Sequence, residues 1–462
     1  MTKVKTTFST VIEMIGNTPM LAVQHFDTSP CELLLKLENQ NPGGSIKDRI
    51  GLSMIEAAER DGLIKPGGTI IEATAGNTGL GLALVAAQKG YKMVVVVPDK
   101  MSQEKIFHLN ALGTQVTMTR SDVIKGHPEY YQDVAERLSR EIENSFWANQ
   151  FSNPANPMAH ETGTGPEIWA QTEGRIDAMV CGVGSGGTIT RLGRFFKSVK
   201  PSVEMILADP EGSILASLVN DGMAGELGSW LVEGIGEDFV PPNFDLDLVA
   251  KAYTIPDRES LATARELLAK EGILAGSSSG TLLAAALRYC REQTKAKTVV
   301  CLLPDSGNKY LSKMYNDYWM TDQGFMERPQ HGDLRDLISR PFDDRAEVAA
   351  APDDTLMSAY GRMRMADVSQ LPVLDEDRIL GIIDESDLLL ALYQNPERFD
   401  DPVSGFMVDR LEMLAPDEPL EKLVPILLAD RVAINLADGH FLGLITKVDL
   451  LNHLRRNAVV AR

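Results

Sequence analysis

Short apolar runs alternate with helix-like stretches from residue 33 to residue 303, and this rhythm restricts the fold more than any other feature of the chain. Met93–Val97 is apolar at every position, which a strand tolerates only when both of its faces are covered. Leu33–Leu37, Thr69–Glu72, Gln115–Thr119, Asp177–Cys181, Val203–Ala208 and Thr298–Leu303 read as further strands. Helical patterns fall between them at 45–60, up to Gln88, from Ser102, at 129–142, around Pro166–Thr172, up to Lys197, at 258–270 and up to Arg291. Such alternation predicts an α/β fold of parallel strands covered by helices. Residues 210–245 are glycine-rich and irregular, long enough to read as a functional loop.

Beyond about residue 325 the character changes. The polar stretch 326–345 reads as a linker, and an internal repeat follows. Ala351–Leu356 recurs as Ala415–Leu420, and Gly381–Leu389 recurs as Gly443–Leu451, at offsets of 64 and 62 residues. Two copies are too few for a solenoid and predict a paired module. The expected division is 1–325, a linker 326–345, and an α+β module 346–462 with copies at about 346–395 and 402–456. The formal charge is −20 over 462 residues, and residues 341–462 carry 23 acidic against 12 basic side chains. Nucleic acid and anionic membrane surfaces are therefore unfavourable partners. Cys31, Cys181, Cys290 and Cys301 are scattered, with no paired spacing that would hold a metal. With no apolar run of membrane-spanning length and no apolar signal core, a cytoplasmic protein without a metal is expected.

Chemistry concentrates in the loops at strand-to-helix junctions. Lys47 follows the turn Pro42-Gly43-Gly44 and starts a helical pattern. Thr74-Ala75-Gly76-Asn77-Thr78 offers hydroxyls and backbone N–H groups suited to a carboxylate, or a plain helix cap. Gly182–Thr188 (GVGSGGT) lets N–H groups converge on a phosphate; a ligand-free turn and a dinucleotide site are the alternatives. Gly276–Gly280 (GSSSG) matches a serine nucleophile elbow. The histidines downstream of it, His331, His440 and His453, lie in the linker and the repeat, which removes the partners a hydrolase needs. Ser278 there suits a hydrogen bond to a ring nitrogen, or the turn is one of close packing.

With these loops in this order the chain resembles the fold-type II pyridoxal-phosphate enzymes, specifically the cysteine synthase and cystathionine β-synthase family. The resemblance spans residues 5–320 and rests on Ile15–Met20 (IGNTPM), Asn41–Arg49 (NPGGSIKDR), Glu72–Gly79 (EATAGNTG), Gly182–Thr190 (GVGSGGTIT) and Gly276–Gly280. Pro98–Lys105, Asp209–Leu215, Val232–Val240 and Leu303–Ser306 are similar to the cystathionine-forming members. Asn149–Pro157 and Thr164–Trp169 are as similar to the O-acetylserine sulfhydrylases. The paired repeat resembles a Bateman pair of CBS motifs. The fold so implied is tryptophan synthase β-like, with two parallel or mixed sheets flanked by helices and a tandem CBS module behind them.

The resemblance further implies pyridoxal phosphate as cofactor, joined to Lys47, which also serves as the base for the substrate's α-proton. Asn77 is implied at the cofactor's 3′-oxygen, Gly184, Ser185, Gly186, Gly187 and Thr188 at its phosphate, and Ser278 at its ring nitrogen. A hydroxyl at that nitrogen leaves the ring nearly neutral and favours loss of a β-substituent over transamination. Thr74, Ala75, Asn77, Thr78 and Gln150 are implied at the substrate carboxylate. The implied reaction condenses L-serine with L-homocysteine to L-cystathionine and water, with release of hydrogen sulfide from cysteine as a further activity. The alternative is the cysteine synthase reaction. A homodimer or a dimer of dimers is implied as well. Departures from the family bear on the second substrate, because animal members carry tyrosines where this chain has Phe151 and Glu237. Gly236 and Glu237 form a candidate substrate loop in which the acid meets an ammonium group or simply faces solvent. In the repeat, Thr446 and Asp449 keep the family's ribose-binding element, whereas the first copy has Asp384 for threonine beside Asp387. Leu371-Pro372-Val373 of the first copy becomes Ala433-Ile434-Asn435 in the second. An adenosyl-type ligand at Thr446 and Asp449 is one expectation; a structural or dimer-forming module is the other.

Overall fold

The structure is a computed structural model that describes residues 7–460 except Ala75, Lys100, Ile124, Lys125, Arg328 and 343–347. The chain divides into two compact units, Met1–Tyr315 and Asn316–Arg462. In the first, six strands form a mixed sheet in the order Met20–Ala22, Glu32–Leu37, Thr298–Leu303, Ala178–Cys181, Glu204–Pro210, Lys251–Ile255. Only the Met20–Ala22 strand runs antiparallel to its neighbour. A second sheet is wholly parallel, in the order Gln115–Thr119, Lys92–Pro98, Thr69–Ala73, Ser145–Trp147.

The apolar run at 93–97 is explained by burial on two sides. Met93, Val95 and Val97 pack with Leu80, Leu82 and Val85 of the helix Asn77–Lys89. Val94 and Val96 pack with Val134 and Ala135 of the helix Tyr131–Glu141. Side chains alternate across a strand, so a strand covered by helices above and below has no face left for a polar residue.

Two features bring the loops together. The helices Lys47–Arg60 and Asn77–Lys89 cross at glycines: a Cβ on Gly81 would lie 2.5 Å from the Lys47 carbonyl oxygen, and one on Gly51 would lie 2.7 Å from the Gly81 carbonyl. Backbone therefore meets backbone, and the start of one helix is drawn against the start of the other. The segments after the strands Glu32–Leu37 and Thr298–Leu303 and after the helix Asp257–Glu271 are also stitched together, by bridges between Ser45 and Asp305 and between Ala275 and Ser306.

Three elements differ from the sequence reading. The edge strand Lys251–Ile255 (KAYTI) was not expected, because its exposed Thr254 and half-buried Lys251 break the apolar run. Residues 210–245 include a seven-residue helix, Leu215–Asp221. Around Pro166 the helix is longer than the sequence suggests: Ala155–Ala159, a π-helical turn at His160–Thr164, and Gly165–Gln171 follow one another. Pro157 and Pro166 disguise this pattern, since proline lacks the N–H that a helix interior uses, and wide turns of this kind accommodate such misfits.

The second unit contains both copies of the repeat. Each has an antiparallel pair, Gln370–Asp375 with Arg378–Asp384 and Ala433–Ala437 with His440–Ile445. Each pair is flanked by helices, Leu356–Ala366 and Glu385–Gln394 in the first, Leu420–Leu428 and Lys447–Val460 in the second. Even the irregularity repeats, after Val373 in one copy and after Asn435 in the other. Leu374 and Ile379 pack with Ile434, Phe441 and Leu444, so the copies share a core. Leu334, Leu337 and Ile338, inside the stretch read as a linker, are buried with Leu414, Leu423 and Ile445 of the second copy.

Candidate active site

Lys47 is the first residue of its helix, and its backbone N–H donates to Ser45 Oγ at 3.3 Å. Its ammonium group has no hydrogen-bond partner among the described residues, although protein crowds it. Loss of hydration lowers its pKa to about 8, against the opposing pull of Glu237 and Asp305. Near neutral pH an appreciable share of the side chain is thus a free amine, which is the form that reacts with an aldehyde or takes a proton.

Beside it lies the Thr74–Thr78 loop, of which Ala75 falls outside the described residues. Gly76 N–H donates to Thr74 Oγ1 at 3.1 Å, so Thr74 spends part of its capacity holding the loop. Thr78 Oγ1 donates to Gln150 Oε1 at 2.6 Å. The Gln150 carbonyl accepts from Asn156 Nδ2 at 2.7 Å, and the same nitrogen lies 3.1 Å from Ser185 Oγ. Gln150 and Asn156 together therefore link Thr78 to Ser185. Beneath it, Glu72 accepts from the backbone N–H groups of Gln150 and Asn149 and from the Gln150 side chain; burial still raises its pKa to about 8.

The Gly182–Thr188 loop is shaped by what its glycines avoid. A Cβ on Gly184 would lie 2.7 Å from the Gly234 carbonyl oxygen. Gly186 has φ +81°, and its Cβ would lie 2.7 Å from Phe244 Cβ. The helix Gly187–Val199 begins here, with its first N–H groups free of intrahelical partners. Thr188 Oγ1 lies 3.1 Å from His160 Nε2, and His160 Nδ1 lies 3.1 Å from Thr164 Oγ1. His160 is fully buried, and burial, reinforced by Lys47 and Arg49, keeps it neutral. Nothing in the sequence marks this histidine; it becomes visible only when the π-helical turn seats it under Thr188.

Ser278 is buried in the first turn of the helix Ser277–Arg291. The glycines on either side of it answer to packing, since a Cβ on Gly276 would lie 2.0 Å from Asp305 Oδ1 and one on Gly280 would lie 1.9 Å from the Ser260 carbonyl oxygen. The donor set as a whole fits pyridoxal phosphate. It offers a recessed amine for the aldehyde, a helix start with the Ser185 and Thr188 hydroxyls and no Cβ in the way for the phosphate, and a buried hydroxyl for the ring nitrogen.

Gly236 and Glu237 are held in place by Ser213, whose Oγ donates to the Glu237 carbonyl and accepts from its N–H, each at 3.1 Å, and by Gly236 N–H to the Val183 carbonyl at 2.8 Å. Glu237 is half-buried. Burial, and then the neighbouring Asp238, raise its pKa to about 8, while Lys47 pulls it back. Phe151 and Phe239 meet nearby with ring centroids 6.3 Å apart. In the second unit, Asp449 Oδ2 accepts from the N–H of Thr446 at 2.7 Å and from its hydroxyl at 2.5 Å, and Asp449 Oδ1 accepts from the Ser339 hydroxyl. In the first copy Asp384 and Asp387 cap each other's backbone N–H groups.

The family model for pyridoxal-phosphate dependent enzymes matches residues 11–305, and that for the CBS domain matches 334–394 and 403–456. A cystathionine beta-synthase of Apis mellifera is 38% identical over 460 residues, covering 97% of this chain and 91% of that protein. One of Mus musculus is 40% identical over 434 residues, covering 92% and 77%. Among solved structures, a hydrogen sulfide-producing enzyme from Fusobacterium nucleatum matches with a TM-score of 0.61 and 38% identity over 66% of this chain and 100% of that one. O-ureido-L-serine synthase matches with a TM-score of 0.63 and 33% identity over 68% and 99%.

Proposed function

The chain belongs to the pyridoxal-phosphate dependent enzymes, and among them to the cystathionine beta-synthase family, and from that membership we propose how its own residues condense L-serine with L-homocysteine to L-cystathionine and water. Bound pyridoxal phosphate supplies the electron-withdrawing ring that weakens the bond to the substrate's α-hydrogen. Lys47 Nζ takes that proton and delivers it to the departing serine hydroxyl, which leaves as water. In the second half it takes the proton of the homocysteine thiol and returns it to the α-carbon, so the lysine ends as it began. The observation that carries this reading is the state of Lys47: recessed, without a hydrogen-bond partner among the described residues, and lowered to a pKa of about 8.

Thr74, Ala75, Asn77, Thr78 and Gln150 hold the serine carboxylate. Gly184, Ser185, Gly186, Gly187 and Thr188 would hold the cofactor's phosphate, Asn77 its 3′-oxygen and Ser278 its ring nitrogen. Glu237 receives the ammonium group of homocysteine, which favours ionisation of an acid that burial and Asp238 otherwise push toward its protonated form. Residues 1–325 would form the catalytic domain and 346–462 a regulatory pair of CBS motifs, with Leu334, Leu337 and Ile338 of the intervening 326–345 stretch packed into the second motif rather than left as free linker. An adenosyl-type ligand would take its ribose contacts from Thr446 and Asp449 by displacing Ser339. A homodimer is the assembly this reading assumes. The four cysteines are unpaired and buried, which suits the reducing cytoplasm. No helix among the described residues is long and apolar enough to cross a membrane.

The test supplies serine with homocysteine in one reaction and O-acetylserine with sulfide in another. Cystathionine from the first pair is expected, with Lys47→Ala colourless and inactive. No cystathionine, with rapid cysteine formation from the second pair, would make the cysteine synthase reading the correct one.

A further inference from the structure

Asn77 sits between two groups of single polarity. Its Nδ2 lies 2.8 Å from Asp305 Oδ2, and its Oδ1 lies 2.7 Å from Lys309 Nζ. A carboxylate only accepts and an ammonium only donates, so the amide has one orientation open to it. The N–H2 end faces Asp305, the carbonyl faces Lys309, and one N–H is left uncommitted among the described residues. Both neighbours are themselves anchored. Tyr310 O–H donates to Asp305 Oδ2 at 2.7 Å, and Lys309 Nζ also approaches the carbonyls of Gly43 and Gly44 at 3.3 and 3.4 Å. Asp305 and Lys309 are buried, and Asp305 Oδ1 has no partner among the described residues. Burial lowers the Lys309 pKa; Asp305 and Asp48 act against that and favour its charge, and Lys105 adds to the lowering.

We propose that Asp305 and Lys309 are positioning residues for the cofactor: they lock the Asn77 amide so that its free N–H faces the 3′-oxygen, and the Lys309 cation, polarising that amide, stabilises the oxygen in its ionised form. A donor that is itself bonded to a cation is a stronger donor. Lys309 is thus a second working lysine of the site, one that makes no bond to the cofactor. The inference rests on the assignment of Asn77 to the 3′-oxygen.

The experiment compares the full-length holoenzyme with Lys309→Met, Lys309→Gln, Asp305→Asn, Asn77→Ala and the double variant Asn77→Ala/Lys309→Met. It reads the visible absorbance of bound pyridoxal phosphate and its dissociation constant, with melting of the apoprotein as the check on folding. Lys309→Met is expected to move absorbance from the yellow band toward the near-ultraviolet and to weaken cofactor binding about tenfold. Asp305→Asn moves both in the same direction, because it removes the carboxylate that favours the charge on Lys309 and that accepts from the Asn77 amide. Lys309→Gln keeps a donor for the Asn77 carbonyl without the charge, so it holds the cofactor nearly as wild type does and loses the yellow band. In the Asn77→Ala background Lys309→Met changes neither quantity further. A wild-type spectrum and affinity in Lys309→Met, or independent effects in the double variant, would overturn the relay while leaving Asn77 where it is. A wild-type spectrum in Asn77→Ala would overturn the assignment of Asn77 and the relay with it.

Discussion

A lysine in the first turn of a helix is commonplace; at Lys47 burial changes what it can do. The same force acts on two acids nearby with opposite results for function. Glu237 is raised to about 8 and is opposed by Lys47, so a cation arriving beside it gains a partner that ionises on binding. Glu237→Gln is expected to raise the KM for homocysteine roughly tenfold or more, the effect of losing one charge-assisted hydrogen bond, with little change in the serine half-reaction followed by absorbance. An equal loss in both halves would remove the acid from the second-substrate site. Glu72 is raised from 4.5 to about 8 without any facing charge. An acid held protonated in the fold binds a proton that the unfolded chain gives up, so its contribution to stability declines as pH rises from 4.5 to about 8 and is level above that. Melting of the apoprotein across this range should fall less steeply in Glu72→Gln than in the wild type.

The glycines that matter among the helices are those at crossings. Gly81 leaves 2.5 Å between a would-be Cβ and the Lys47 carbonyl oxygen, and backbone does not yield as a side chain does. Gly81→Ala is expected to cost about 1–3 kcal/mol, as overpacking does, and to lower cofactor occupancy because it displaces Lys47. Gly361, exposed in the helix Leu356–Ala366, has nothing within 4 Å of its would-be Cβ. There Gly361→Ala should add roughly 0.5–1 kcal/mol through helix propensity alone. Thermal melts of the two variants, moving in opposite directions, check the crossing. The loops Gly182–Thr188 and Gly276–Gly280 were legible in the sequence because runs of glycine and serine between strand and helix stand out, although what their glycines avoid, at Gly234, Phe244, Asp305 and Ser260, is remote in the chain. The π-helical turn under Thr188 was not, since two prolines interrupt its pattern and the histidine it carries is a lone one.

At the scale of the molecule, the doubled CBS motif was legible because a repeat declares itself by offset alone, and the net charge of −20 sets aside polyanionic partners. Which copy takes a ligand depends on side chains. Both copies have a reciprocal cap, Asp384 with Asp387 and Thr446 with Asp449, but only the second carries a hydroxyl, that of Thr446, in place of a second carboxylate. Calorimetry of the full chain with S-adenosylmethionine is expected to show binding that Asp449→Ala abolishes. At roughly 100 times its dissociation constant, the ligand should stabilise the unit that binds it by about 2.7 kcal/mol. Binding that survives in Asp449→Ala would place the ligand elsewhere.

The sequence by itself determined the α/β alternation and the paired repeat and marked Lys47 and the three loops, because apolar periodicity, repeats and helix starts are read within short stretches of chain. Only the tertiary structure decided which side chains complete the site. Asn77 meets Asp305 across 228 residues and Lys309 across 232, and Thr188 meets His160 across 28. Hydrogen bonds of that kind carry no periodicity and no fixed spacing. They exist because two glycines let a pair of helices touch and the folded sheets bring loops that are distant in the chain side by side.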